Sequence, residues 1–132
     1  MIEVNDIYKS FGDTEVIKGI STSFRQGQTS LIIGQSGAGK TVFLKALVGL
    51  HDIDKGEIIY DDRQLGKMDE DERTDLRTEM GMVFQGNALF DSLTIEENVS
   101  FALNMFSDMS ASEKRDRANF CLERVNLNNV NH

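Results

Sequence analysis

The octapeptide GQSGAGKT at residues 34–41 decides the fold of this chain. It fits the pattern G-x-x-x-x-G-K-[ST], the P-loop, in which a glycine-rich turn cradles phosphate groups. The glycines at positions 34, 37 and 39 allow the backbone to curl so that successive N–H groups point inward as an anion nest. We expect Lys40 to place a point charge on the outer phosphates and Thr41 to offer its hydroxyl to Mg²⁺.

The segments on either side of this loop have the character that a P-loop requires. Residues 29–33 (TSLII) form a short apolar run that predicts a buried strand, and residues 42–48 (VFLKALV) predict a helix. Strand, glycine loop and helix is the order of a P-loop unit. Because a helix start carries the positive end of its dipole, we expect phosphate binding to centre on residues 36–42.

The composition limits the class of protein and its partners. The chain has 132 residues, enough for one domain with a core, and a formal net charge of −8. A nucleic-acid surface needs clustered Lys and Arg, so this balance argues against a nucleic-acid partner. The single Cys121 excludes an internal disulfide and fits a reducing cytosol. The sequence shows no signal peptide and no run of membrane-spanning length, so we expect a cytoplasmic protein that reaches a membrane through a partner.

Hydrophobic alternation and capping signals predict the remaining elements. Strands are expected at residues 2–8, 14–17, 20–24, 56–60 and 81–84, and a polar helix at residues 69–80. Two more helices are predicted from capping boxes, in which an N-cap hydroxyl residue is followed three residues later by Glu. These pairs are Thr94 with Glu97 and Ser110 with Glu113. Strands, a P-loop crossover and capped helices together predict an α/β fold.

Several motifs, in this order, resemble those of the nucleotide-binding subunit of ATP-binding-cassette (ABC) transporters. Residues 8–12 (YKSFG) resemble the adenine loop, with Phe11 at the aromatic position that stacks on the base. Val16 falls where the family places an aliphatic contact near the sugar and base. Residues 81–85 (GMVFQ) resemble the strand that ends in the Q-loop glutamine, here Gln85. In the family that glutamine touches Mg²⁺ and links the nucleotide to the transmembrane partner.

The resemblance implies a fold, cofactors and a set of site residues. The fold is a P-loop NTPase of the ABC type, with a parallel-sheet core, an antiparallel N-terminal β layer and a partial α-helical subdomain. The β layer and core would occupy residues 1–90, and the helical subdomain residues 91–132. The implied cofactors are ATP and Mg²⁺, with Thr41 and Gln85 on the metal and Lys40 and Gln85 as the catalytic residues of this chain. The implied nucleotide-binding residues are Phe11, Val16, Gly34, Gln35, Ser36, Gly37, Ala38, Gly39, Lys40, Thr41 and Val42.

The resemblance also implies partners. A transmembrane permease would bind the region of residues 85–95, where Ala88, Leu89, Phe90 and Leu93 are apolar. A second ATP-binding subunit would complete a homodimer, and the protein would sit on the inner face of the cell membrane through its permease. Residues 84–103 carry the pattern FQ-x-x-ALF-DSLT-x-x-ENV, which is similar to the Mla/Mce-associated branch that moves phospholipids between bacterial membranes.

The sequence departs from the complete family pattern. It has no LSGGQ-like signature, no apolar strand ending in the Asp-Glu pair of Walker B and no switch histidine, since His51 and His132 do not fill that position. It therefore resembles a truncated cassette, and we expect little or no ATP hydrolysis from the isolated chain. Two alternatives stay open at this point: a soluble ABC ATPase outside transport, and a nucleotide-binding module that does not hydrolyse ATP.

Overall fold

The computed structural model describes residues 1–86 and 88–127 of the chain, which fall into two units divided between Met82 and Val83. The first unit holds the sheet, the P-loop and two of the helices, and the second holds the other two helices. The predicted boundary at residue 90, between core and helical subdomain, stays a prediction.

An antiparallel sheet forms the framework of the first unit. Its strands are β1 (Ile2–Phe11), β2 (Thr14–Phe24), β3 (Lys55–Tyr60) and β4 (Arg63–Gln64), in the order β2-β1-β3-β4. This confirms the antiparallel N-terminal layer and joins the two predicted segments at residues 14–17 and 20–24 into one strand. Gly19, with φ of +70°, lies where the β1–β2 register shifts, so it is a bulge inside that strand and does not end it.

Helix α1 (Lys40–Leu47) closes the core of the first unit over this sheet. It buries Phe43, Ala46 and Leu47, whereas Leu44 on its other side is 43% exposed. The helix is apolar on most sides, which by itself predicts burial between two layers, but only one face is covered in the described structure. The buried residues that meet in this core are Val4, Ile7, Ile17, Phe43, Ala46, Leu47, Ile58, Tyr60, Leu65 and Leu76.

The end of α1 follows from its sequence. Gly49 adopts φ of +69° just after the C-cap residue Val48. The N–H of Gly49 donates to the carbonyl of Ala46, and the N–H of Leu50 donates to the carbonyl of Lys45. This is a Schellman motif, which needs a residue that tolerates the left-handed conformation. Gly49 therefore ends the helix.

Helix α2 (Glu70–Thr78) lies within the predicted polar segment at residues 69–80 and follows a 3₁₀ turn at Leu65–Lys67. Asp69 and Glu72 form a capping box at its start, and Leu76 is its buried residue. At the other end, Arg63 donates two hydrogen bonds of 2.8 Å to the carboxylate of Glu79. Leu76 thus joins α2 to the core, and the Arg63–Glu79 pair links the end of the helix to β4.

Two segments predicted as strands of a parallel core are not strands in the structure. Residues 29–33 and 81–84 have no regular secondary structure, and no described strand pairs with them. Leu31 is 85% exposed, Ile33 81% and Val83 97%, whereas Ile32 packs against the core. The predicted burial of these runs is therefore wrong except at Ile32. A buried parallel strand needs a neighbouring strand to complete its hydrogen bonds. The described residues provide none.

The second unit contains α3 (Ile95–Phe106) and α4 (Ala111–Arg124), which pack against each other. Both predicted capping boxes are present, at Thr94 with Glu97 and at Ser110 with Glu113. Helical periodicity predicts an inward face of α4 made of Ala118, Cys121, Leu122 and Val125. Ala118 and Leu122 are buried and Cys121 is partly buried, but Val125, just after the last turn, is 62% exposed. Ser100 of α3 is also buried, which was not predicted.

Candidate functional site

The loop between Gly34 and Lys40 has the backbone conformation that its glycines predict. Gly37 has φ of +78° and Gly39 has φ of +86°, both in the left-handed region that side-chain-bearing residues avoid. The N–H of Ala38 donates to the carbonyl of Gln35 across the turn, at 3.2 Å. The chain therefore makes a tight reversal and enters α1 directly from Gly39.

The loop is seated against β2 at Val16. A Cβ atom on Gly39 would lie 2.8 Å from Cγ1 of Val16 and 3.2 Å from its carbonyl oxygen. Only a glycine permits this approach without moving the strand. Val16, predicted as a contact near the base and sugar, is thus brought to the end of the phosphate loop.

A cavity of about 430 Å³ opens beside this junction. Val16, Ala38, Gly39 and Lys40 line one part of it, so four of the predicted site residues share one space. The remaining lining comes from β2, residues 30–33 and Phe43 of α1.

The side chain of Lys40 folds back over the loop. Its Nζ atom donates to the carbonyl of Gly34 at 2.8 Å and to that of Gln35 at 2.7 Å. Both partners are neutral carbonyl groups and bring no negative charge to the loop. A bound anion could replace these carbonyls as the hydrogen-bond acceptor of Lys40.

The start of α1 differs from the starts of the other described α-helices. Its N-cap is Gly39, which makes no side-chain capping bond, and its first turn holds no acidic residue. By contrast, α2, α3 and α4 each begin with a capping box and acidic residues in the first turn. The first N–H groups of a helix have no partner within it, so those of α1 remain available to an anion from outside the chain.

The other predicted loop residues lie at the surface around this helix start. Thr41 is exposed in the first turn of α1, and Val42 is partly buried and packs against the core. The exposed loop residues are Gly34, Gln35, Ser36, Gly37 and Ala38. Exposure of the loop backbone is what phosphate binding by N–H groups requires.

Phe11 stands apart from the cavity that Val16 lines. It ends β1, is 47% exposed, and contacts His51 ring to ring, with centroids 5.5 Å apart and planes at 75°. The Nζ atom of Lys9 lies over the Phe11 ring, 5.4 Å from its centroid. Sequence reasoning gave His51 no role, because a contact between residues 40 positions apart leaves no local pattern.

Gln85 lies in the second unit, exposed, in a bend with Gly86. Its predicted roles at the metal and in catalysis stay predictions. No group of three or more His, Cys, Asp or Glu side chains suited to a metal occurs in residues 1–86 and 88–127. The predicted Mg²⁺ ligands are of another kind: the hydroxyl of Thr41 and the amide oxygen of Gln85.

The predicted partner segment at residues 85–95 presents apolar side chains. Leu89 is 68% exposed and Phe90 50% exposed, while Leu93 is partly buried and Asn87 lies outside the described residues. The ring of Phe90 packs on that of Phe101, with centroids 4.7 Å apart.

Asn98 of α3 fixes this segment, a role that sequence reasoning missed. Its Oδ1 atom accepts a hydrogen bond from the N–H of Phe90 at 2.8 Å. Its Nδ2 atom lies within hydrogen-bond distance of the carbonyl oxygens of Phe90, Leu93 and Thr94, at 3.0–3.2 Å. An Asn in the first turns of a helix, facing a preceding loop, was the available signal. Within the described ranges, no helix is both long and apolar enough to cross a bilayer.

The sequence profile of the family described as "ABC transporter" matches residues 17–132. The chain belongs to this family. The match extends over α1 and the described elements that follow it, including the P-loop and the segment around Gln85, so the predicted family is confirmed.

Relatives and solved structures agree with this assignment. The chain is 41% identical, over 98% of its length, to the chloroplastic protein trigalactosyldiacylglycerol 3 of Arabidopsis thaliana, of which it covers 37%. It is 33% identical, over 98% of its length, to the phosphonates import ATP-binding protein PhnC of Fusobacterium nucleatum, of which it covers 56%. A dimeric ATP-binding cassette in a post-hydrolysis state, bound to ADP and Pi, matches with a TM-score of 0.86 and 30% identity, covering 100% of this chain and 61% of that one.

The chain therefore contains part of an ABC transporter ATP-binding domain and spans between about a third and two thirds of the proteins it matches. The predicted fold class is confirmed by the solved cassettes, although the parallel pairing of residues 29–33 is not present here. The relatives include ATP-binding proteins named for phosphonate import and for methionine import.

Proposed function

We propose that this chain forms the nucleotide-binding part of an ABC transporter ATP-binding subunit, with the phosphates of ATP held by residues 34–42. The observation that carries the proposal is the start of α1. It lacks a cap and acidic residues, and it lies under an ammonium group held by neutral carbonyls. In a chain of net charge −8, this absence of negative charge creates a local anion site.

The donor groups of the loop suit the negative charge of nucleotide phosphates. The N–H groups of the loop and of the first turn of α1 would donate to the phosphate oxygens. Lys40 would turn from the carbonyls of Gly34 and Gln35 to the outer phosphates. The hydroxyl of Thr41 and the amide oxygen of Gln85 would hold Mg²⁺, which offsets phosphate charge when it is bound.

Phe11 and Val16 would contact the base and sugar. Val16 already lines the same cavity as Lys40, and Phe11 presents a half-exposed aromatic ring at the end of the adjacent strand. Aromatic rings stack on any base, so this contact would add affinity without strong base selectivity.

Coupling to transport would use the segment at residues 85–95. Its apolar side chains Leu89 and Phe90 are exposed, and Asn98 holds their backbone in place. We propose that this surface receives a permease at the inner face of the membrane. ATP hydrolysis by a pair of such subunits would then drive transport. A dimeric arrangement is a property of the matched cassette structure, and it supports this proposal.

For the transported substrate we propose a lipid, and specifically phospholipid. The pattern at residues 84–103 resembles the lipid-moving Mla/Mce-associated branch, and the Arabidopsis relative carries the name of a glycolipid. In membranes that hold the complete transporter, transfer of fluorescent phospholipid should depend on this subunit. Dependence of phosphonate or methionine uptake on the subunit, with unchanged lipid transfer, would contradict the lipid assignment.

Ligand titration tests the binding proposal itself. Isothermal titration of the 132-residue chain with MgATP and with magnesium tripolyphosphate should give binding in both cases, because both present a triphosphate to the loop. Adenosine should bind much more weakly, since it lacks phosphates. Absence of binding for both triphosphates would contradict the proposed phosphate site.

A further inference from the structure

The ring of Phe11 is held by two side chains from different segments. His51 follows the C-terminal end of α1 and meets the ring with centroids 5.5 Å apart. Lys9, two residues before Phe11 on β1, lies over the ring with its Nζ atom 5.4 Å from the centroid. Phe11 nevertheless stays 47% exposed, so part of the ring remains open to a ligand.

Asp54 ties this arrangement to the backbone. Its Oδ2 atom accepts a hydrogen bond from the N–H of Ser10 at 2.6 Å, and its Oδ1 atom accepts one from Nζ of Lys9 at 3.1 Å. The N–H of Asp54 donates to the carbonyl of Tyr8 at 2.8 Å. The pKa of the Asp54 carboxyl is lowered, mainly by the hydrogen bond from the N–H of Ser10 and next by the one from Lys9. An ionised Asp54 therefore keeps Lys9 in place and joins the segment that contains His51 to β1.

We infer that His51 and Lys9 are positioning residues that hold the Phe11 ring ready to stack on the purine base of ATP. This inference rests on the proposed function. An exposed Phe side chain loses rotamer freedom when a base stacks on it, and that loss opposes binding. A ring already held by an aromatic edge and a cation has lost this freedom before the ligand arrives. The resulting gain in affinity applies to binding of the base and does not change binding of the phosphates.

The test compares two ligands that share the triphosphate and differ in the base. MgATP and magnesium tripolyphosphate are titrated into the 132-residue chain and its His51→Ala, His51→Phe and Lys9→Met variants. We expect His51→Ala to weaken ATP binding by roughly three- to tenfold, the range that corresponds to ordering one side chain. Tripolyphosphate affinity should stay unchanged, and His51→Phe should restore ATP affinity because it retains an aromatic ring.

Lys9→Met keeps most of the side-chain length and removes the cation, so it should also weaken ATP selectively. Lys18→Met, an exposed position on β2, is its matched control and should change neither affinity. Equal losses for ATP and tripolyphosphate in His51→Ala would mean a structural effect and would overturn the inference, as would unchanged ATP binding. If wild-type protein binds neither ligand, the proposed function fails first, and that result is distinct from a failure of the positioning role.

Discussion

At the scale of single residues, the strongest constraints come from glycines where backbones approach. Gly56 has φ of +88°, and a Cβ atom there would lie 2.5 Å from the carbonyl oxygen of Asn5 and closer still to that of Asp6. This is the point where the β1–β3 register shifts. Neither the clash nor the bulge could be predicted from the sequence, because both depend on which strand lies opposite.

Gly56→Ala should therefore destabilise the protein by about 3 kcal/mol, through strain and a backbone clash that no side-chain movement relieves. Gly12→Ala is the matched control. Gly12 also has a positive φ, +57°, but a Cβ atom there meets nothing within 4 Å, so its cost should be about 1 kcal/mol. Urea unfolding of both variants measures the difference, and equal losses would contradict the assigned clash.

Tyr60 gives a prediction about pH at the same scale. Its hydroxyl donates to the carbonyl of Leu47, and burial raises the pKa of Tyr60 from 10.0 to about 12. The folded state favours the neutral phenol, so this contribution to stability is complete below pH 10 and is lost as the pH rises towards 12. In Tyr60→Phe, unfolding free energy should fall less steeply over this window. At neutral pH the variant should be about 1–2 kcal/mol less stable, because the Leu47 carbonyl loses its donor. Denaturant unfolding at a series of pH values checks both effects.

At the scale of elements, the helix caps and the antiparallel strands were predicted correctly, whereas the predicted strands at residues 29–33 and 81–84 did not form. The capping boxes at Thr94 and Ser110 located the starts of α3 and α4, because a cap satisfies its own helix. The glycines of the P-loop also predicted its conformation, because their freedom to adopt positive φ is a local property of the residue. The apolar run at residues 29–33 could not specify a strand, since strand formation depends on a neighbour that lies elsewhere in sequence.

Asn98 provides the prediction at the scale of elements. Removing its side chain in Asn98→Ala should release residues 90–94 from α3. The side-chain amide of Asn98 makes hydrogen bonds with both the N–H and the carbonyl of Phe90. Hydrogen exchange at the Phe90 amide should accelerate, with a stability cost of about 1–2 kcal/mol. Asn104→Ala, at an exposed position of the same helix, should leave that exchange unchanged. Slow exchange at Phe90 in Asn98→Ala would show that other contacts hold the segment.

At the scale of the whole chain, exposed apolar segments without pairing partners favour association. Leu31 and Ile33 in the first unit are 85% and 81% exposed, on a segment that pairs with no strand in the described part of the chain. Exposed apolar edges of this kind attract other chains. We expect the average mass from light scattering to rise with protein concentration. The rise should be smaller for the double variant that carries Leu31→Thr and Ile33→Thr. Val125→Thr, also at an exposed position, should behave like wild type. A mass independent of concentration would contradict this expectation.

The charge distribution gives the whole-molecule basis for phosphate binding. The net charge of −8 would repel a triphosphate, yet carboxylates occupy the first turns of α2, α3 and α4 and are absent from that of α1. Binding must then depend on this one helix start and its lysine. The net negative charge of the whole chain would oppose binding.

The most direct test is isothermal titration of MgATP into wild type, Lys40→Ala and Lys45→Ala. Both variants remove one positive charge from α1, but Lys40 lies at the loop and Lys45 in the last turn of the helix. Lys40→Ala should lose at least about tenfold in affinity, the cost of one charge-assisted hydrogen bond of about 1.5–3 kcal/mol, while Lys45→Ala should bind like wild type. Equal affinity of wild type and Lys40→Ala would contradict the proposal that residues 34–42 hold the phosphates of ATP.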